Sequence, residues 1–166
     1  MESQNGRPCS IAAALSVVGD RWALLAVREV TFGNHRFSEI ARNTGAPRDR
    51  LAARLKSLVA AGVLEQREYR KSPPRSDYHL TEAGRELVPV LSALRAWGDR
   101  WAVEEPPLTV AHHGHAIRHR VVCATCGEPV REEDVERISS APQWDLTGPV
   151  TGSERPPAGP RPSAGR

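Results

Sequence analysis

Two apolar-striped segments, "RFSEIARNTG" and "PRDRLAARLKSLVAAG", stand almost back to back, and that spacing constrains the fold more than any other feature of the chain. In the first, Ile40 and Ala41 fall on one face, Ser38 is the expected N-cap and Gly45 the stop. The second opens at Pro47, a residue whose missing N–H costs nothing in a first turn. Leu51, Leu55, Leu58 and Val59 then recur at i, i+4, i+7 and i+8, the period of a helix buried on one side, and Gly62 ends it. Only Thr44, Gly45 and Ala46 separate the two.

A glycine-containing turn of that length is the one used in helix-turn-helix units. The flanking sequence extends the pattern. Upstream, "CSIAAALSVVGDRWALLAVREVTFG" reads as two helices. Ser10 is the expected cap of the first, with Ile11, Leu15 and Val18 on one face; Asp20 caps the second, and Gly19 and Gly33 are the stops. Downstream the period changes to two: "VLEQREY" (Val63–Tyr69) and "SDYHLT" (Ser76–Thr81) are short strands, with "RKSPPR" as the loop between them, since prolines cannot donate to a ladder. A long amphipathic helix follows over Thr81–Ala102, with Leu87, Val90, Leu91, Leu94, Trp97 and Trp101 in its stripe and Pro89 either kinking it or marking its start. The expected class is mainly α with a small β wing (α+β): a winged helix-turn-helix.

Charge distribution points to what such a fold would meet. The whole chain carries a net charge of only +3, but residues 42–75 hold 9 Lys/Arg against 3 Asp/Glu. A local basic patch is the footprint of a polyanion binder. No apolar run has the length of a bilayer span, the N-terminus is unlike a signal peptide, and three cysteines suit a reducing compartment, so a cytoplasmic protein is expected. The compact part shows no nucleophile–base pair in a recognisable setting and no phosphate-binding glycine loop, which argues against an enzyme.

The order and spacing of "GDRW", "RFSEIAR", "LAARLKSLVAAGVLEQREY", "PPRSDYHLTEAG" and "LRAWGDRW", after an N-terminal cysteine, resemble the HxlR-type winged helix-turn-helix regulators of bacteria over about Cys9–Trp101. Gly45-Ala46-Pro47 departs from the Ile-Ser-like entry usual in that family, a change at the start of the recognition helix rather than in the fold. The resemblance implies a sequence-specific transcriptional regulator that binds double-stranded DNA as a homodimer through its terminal helices, and that responds to a redox or small-molecule effector.

On that reading Arg48, Arg50 and Arg54 face the major groove, where arginine makes paired hydrogen bonds to guanine O6 and N7. Arg48 is the expected base reader and Arg54 a phosphate contact. Asp49 either accepts from cytosine N4 or complements the helix dipole; Lys56 shares the basic side. Arg70, Lys71 and Arg75 are wing cations for the sugar-phosphate backbone. On the supporting helix, Arg36 is a further phosphate contact, and Ser38 either bonds a phosphate or merely caps. The bland alternative for all of these is a solvated helix face and a soluble hairpin. Trp97 and Trp101 serve either a two-fold interface or an intramolecular core. Cys9 sits where several family members carry an oxidant or electrophile sensor; Arg7 and Arg21 are the cations that would activate its thiolate.

The remainder is not needed for a winged helix. Cys123-Ala-Thr-Cys126-Gly127 has zinc-knuckle spacing, and His112 and His115 supply an H-x₂-H pair upstream that would complete a His₂Cys₂ zinc-ribbon-like hairpin with structural zinc as cofactor. A redox-active or idle CxxC, or a plain hairpin, fits the same residues. Long family members often carry Cys-Gly where this chain has Gly114-His115. The expected organisation is therefore 1–104 for DNA binding and dimerisation, 105–140 for the His/Cys extension, and 141–166 for a disordered Pro/Gly-rich tail. Two further classes fit parts of the same sequence: a winged-helix adaptor that binds protein, which would have an uncharged recognition helix, and a thiol or metal enzyme built on the CxxC segment.

Overall fold

The computed structural model describes residues 9–71 and 74–138. Arg7, the side chain of Lys71, the tip residues Ser72 and Pro73, and the tail 141–166 lie outside the described residues. Five helices and a hairpin follow one another: α1 (Ser10–Val18), α2 (Arg21–Thr31), α3 (Phe37–Thr44), α4 (Arg48–Ala60), β1 (Leu64–Lys71), β2 (Pro74–Leu80) and α5 (Glu82–Trp101). Beyond them lie a two-residue hairpin, β3 (Ala111–His112) with β4 (His115–Ala116), and a single 3-10 turn at Glu132–Asp134. This is the expected α+β winged-helix arrangement.

The centre of the fold is α2. Ala23, Ala26, Val27 and Val30 are buried with Ile40 of α3, Leu51, Leu55 and Leu58 of α4, and Leu64 of β1 in one cluster. Asp20 starts α2 as the sequence suggests, its carboxylate accepting the Trp22 N–H at 2.9 Å. Between α3 and α4 the chain reverses through Gly45, held at φ +68, a left-handed conformation in which a Cβ is strained. Thr44 seals the turn: its hydroxyl donates to the Ile40 carbonyl (2.6 Å) and accepts the Ala46 N–H (3.2 Å).

Several local expectations are corrected. Cys9, not Ser10, occupies the N-cap of α1, and no side chain caps that end. The N-cap of α3 lies two residues before the expected one, at Arg36, with the Glu39 carboxylate accepting the Arg36 N–H at 3.0 Å. Ser38 is therefore inside the first turn and caps nothing. Both wing strands are longer than read, so Arg70, Lys71, Pro74 and Arg75 belong to the ladder and not to a loop. Pro74 is tolerated because it opens β2 in a two-stranded sheet, where its nitrogen has no interior bond to make. Pro89 neither begins nor ends α5, which starts at Glu82 behind a Thr81 cap.

The hairpin pairs Leu64 with Leu80 through Glu68 with Ser76, then shifts register at a bulge before Arg70 pairs with Arg75. An isolated bridge from Arg36 to Asp77 and the bond from Tyr78 N–H to His35 O (2.9 Å) attach β2 to the start of α3. Where α5 begins, Gly84 is buried so tightly that a Cβ would stand 2.3 Å from the Val63 carbonyl oxygen. Helix α5 reaches the core only with its first half, through Leu87 and Leu91.

Candidate nucleic-acid interface

Helix α4 buries Leu51, Leu55 and Leu58, which leaves Arg48, Asp49, Arg50, Ala52, Ala53, Lys56 and Ser57 on its exposed side. Its 13 residues make a rod about 20 Å long at about 1.5 Å per residue. A helix of that size enters the major groove, about 12 Å wide. Small alanines at 52 and 53 let the backbone come close, while the cations flank them.

The arginines of α4 do not share one environment. The Arg48 guanidinium lies over the Phe37 ring, 4.8 Å from its centroid, at the edge where α4 meets α3. Arg50 and Lys56 are exposed. Arg54 turns toward α2, with Nε 3.5 Å from Asp20 Oδ2. That contact is an ion pair without hydrogen-bond geometry, for Nε is buried and has no hydrogen-bond partner. The helical period explains the difference: position 54 lies between the buried positions 51 and 58, beside the N-terminus of α2.

The other cations lie at the start of α3 and on the wing. Arg36 is exposed, with its guanidinium 5.5 Å from the centroid of Tyr69 on the wing, and Ser38 is exposed beside it. Arg70 and Arg75 are exposed and face each other across the hairpin.

Glu29 was missed at the level of sequence. It is 3% exposed and sits in the apolar face of α2. Its Oε2 accepts from Asn34 Nδ2 at 2.8 Å and from Asn43 Nδ2 at 2.9 Å, and its Oε1 accepts from Arg28 at 2.6 Å. One carboxylate therefore binds the α2–α3 turn and the far end of α3 to α2. The only signal was an acid at a position where the helical period calls for an apolar residue. His35 and His79, also missed, stack at 4.4 Å between the α2–α3 connection and the wing; His35 Nδ1 donates to Tyr78 O (2.8 Å) and His79 Nε2 lies 3.0 Å from Asp77 Oδ1.

Other predicted residues fall elsewhere. Cys9 is exposed at the N-cap of α1, and Arg21 is stacked over Trp22 at 4.3 Å. His112 and His115 are partners across the β3–β4 hairpin, while Cys123 and Cys126 share a separate turn. Among the described residues, no group of three or more His, Cys, Asp or Glu side chains converges to hold a metal ion.

The model of HxlR-like helix-turn-helix proteins matches residues 17–106. The chain belongs to the HxlR-like helix-turn-helix family. An uncharacterized HTH-type transcriptional regulator of Mycobacterium tuberculosis is 42% identical over 130 residues, which cover 76% of this chain and 82% of that one. Among solved structures, PA1607, a transcription factor candidate, superposes with a TM-score of 0.71 at 34% identity over 81% of this chain and 96% of its own. The redox regulator HypR in its oxidized form superposes with 0.51 at 30% identity, over 55% and 96%. PA1607 thus overlaps a larger share of this HxlR-like chain than HypR does, beyond what the winged helix alone supplies. No single helix among the described residues is long and apolar enough to cross a membrane.

Proposed function

We propose that this protein is a cytoplasmic, sequence-specific transcriptional regulator that binds double-stranded DNA as a homodimer. The observation that carries the reading is the exposed basic side of α4, with Arg48, Arg50 and Lys56, on the helix that follows the Gly45 turn. Arg48 and Arg50 read guanine, Asp49 accepts from cytosine N4, and Arg36, Ser38, Arg70, Lys71 and Arg75 hold the backbone. Arg54 is left to a phosphate beside the α2 N-terminus.

Dimerisation rests on a second feature. Ile11 and Leu15 of α1 are 71% and 56% exposed, and Trp97 and Trp101 of α5 are 60% and 65% exposed. Val90 and Leu94 continue that face. Two tryptophans held in water on a helix that follows the DNA-binding unit favour a second copy over an internal core. Half-sites then form an inverted repeat about 34–36 Å apart. A redox or electrophile input through Cys9 is favoured by its exposure at the N-terminus of α1, next to Ile11 on this apolar face.

Selection of bound fragments from the source genome, followed by titration of Arg48→Ala and Arg50→Ala, tests the reading. Each variant is expected to lose about 1–3 kcal/mol on the selected site while keeping its non-specific binding. Both variants binding the operator at parent strength refutes the assignment.

A further inference from the structure

A seam joins the wing to the start of α3, and two histidines meet in it. His35 binds Tyr78 twice: its carbonyl accepts the Tyr78 N–H at 2.9 Å, and its Nδ1 donates to the Tyr78 carbonyl at 2.8 Å. His79 Nε2 donates to Asp77 Oδ1 at 3.0 Å, and Asp77 makes the isolated bridge to Arg36 at the N-cap of α3. The rings of His35 and His79 lie face to face, with centroids 4.4 Å apart and planes 22° from parallel. Both side chains are half-buried, so water screens a charge on either one only in part.

Histidine is the side chain whose charge ordinarily changes between about pH 5 and 8. The seam accommodates one such charge better than two. A proton on His79 meets the Asp77 carboxylate, and Glu65, itself bound to Arg67, stands directly opposite on β1. His35 has no carboxylate partner among the described residues. Glu29 of α2 is engaged by Arg28, Asn34 and Asn43, and Glu39 of α3 accepts the Arg36 N–H. The cations of the surrounding elements do not relieve a second positive charge: Arg36 lies over Tyr69, Arg67 stands opposite Asp77, and Arg85 of α5 donates to the Leu80 carbonyl. The Tyr78 phenol stays neutral through this range, since burial pushes it above its ordinary value. Two charged imidazoles stacked at 4.4 Å would therefore repel each other across the seam.

We propose that the His35–His79 stack is a proton-sensitive clamp on the wing: with at most one ring charged it holds residues 77–79 against the start of α3, and with both charged it lets them go. The clamped state binds fewer protons than the released one, so acidification favours release. Its consequence for DNA rests on the regulator reading above: wing contacts to the backbone weaken as pH falls. That sign is diagnostic, because titration of histidines by itself adds positive charge and strengthens the hold on a polyanion.

The first arm of the test needs no DNA. Hydrogen exchange of the Tyr78 amide, whose bond to the His35 carbonyl makes it the reporter, is followed by NMR on the full chain and corrected for the intrinsic rate. The Leu55 amide in the buried part of α4 is the reference. From about pH 8 to about pH 5, Tyr78 protection in the parent should fall about tenfold while Leu55 holds. His35→Asn keeps a donor near the place of Nδ1 and His79→Gln keeps one near the place of Nε2, and neither replacement titrates. Each variant should stay protected across the range. The clamp is overturned by Tyr78 protection in the parent that ignores pH, by a fall that persists in either variant, or by a fall that Leu55 shares. Protection lost at every pH in both variants, the mark of a merely structural contact, also overturns it. The second arm measures affinity for the selected genomic fragment over the same range. Parent affinity should fall on acidification and that of the variants should not; affinity that stays level while the Tyr78 amide responds overturns the coupling to DNA. A chain that binds no DNA but shows the amide response removes the regulator reading and leaves the clamp in place.

Discussion

Replacing Glu29 by glutamine changes one atom in the packed interior and isolates what a buried carboxylate does for this fold. The side chain keeps its size but becomes neutral, and one of its terminal atoms turns from acceptor to donor. With its amide nitrogen toward Asn34 and Asn43, two donor pairs would face each other. The cheaper orientation keeps oxygen on the two asparagines, at 2.8 and 2.9 Å in the parent, and turns nitrogen toward Arg28, whose side chain is 37% exposed and can find water. Two bonds to a charged acceptor, worth about 1.5–3 kcal/mol each, then become neutral ones of about 0.5–1.5 kcal/mol. Loss of the partly exposed Arg28 pair adds no more than about 1 kcal/mol. The expected total is about 2–4 kcal/mol, or roughly 8–32 °C in melting temperature at about 4–8 °C per kcal/mol. Denaturant and thermal unfolding of the parent, Glu29→Gln, Asn43→Ala and the double variant measure it. The cycle should return a coupling of about 1 kcal/mol or more. A Glu29→Gln protein that unfolds within 0.5 kcal/mol of the parent, by the order of scatter expected for a surface change, would refute the idea that this carboxylate braces α3.

Four other outcomes are expected. Gly84→Ala should destabilise the fold by more than about 1 kcal/mol, because its Cβ would meet a backbone carbonyl at 2.3 Å that cannot swing aside; denaturant midpoints read this. Trp97→Asp should give a monomer by analytical ultracentrifugation and lose binding to a full inverted repeat while keeping its helical content, whereas a parent protein that is monomeric at micromolar concentration would remove the proposed interface. Arg54→Met should shift stability by less than about 1 kcal/mol, since its pair with Asp20 is half-exposed. In contrast, Arg75→Ala should lower affinity for every DNA sequence and flatten the salt dependence by about one charge.

What the sequence determined by itself was local. The α4 stripe, the Asp20 cap, the glycine reversal at Gly45, the change of period into the wing and the Thr81–Ala102 helix all follow from contacts within a few residues, which spacing encodes directly. Helix α4 and its basic side were legible for the same reason. Element ends were less so: Ser38 was displaced as a cap because Glu39 accepts the Arg36 N–H one turn earlier, and the strands ran on past Tyr69 because pairing partners, not propensity, decide where a ladder stops. Only the tertiary structure decided which arginine faces out. Arg54 was indistinguishable from Arg50 in composition, and it is the packing of α4 against the N-terminus of α2 that turns it toward Asp20. The same packing buries Glu29, whose carboxylate binds two asparagines 5 and 14 residues away. It also leaves Trp97 and Trp101 in solvent, because the core closes at Leu91 and a helix that outruns its core has no further face to cover it.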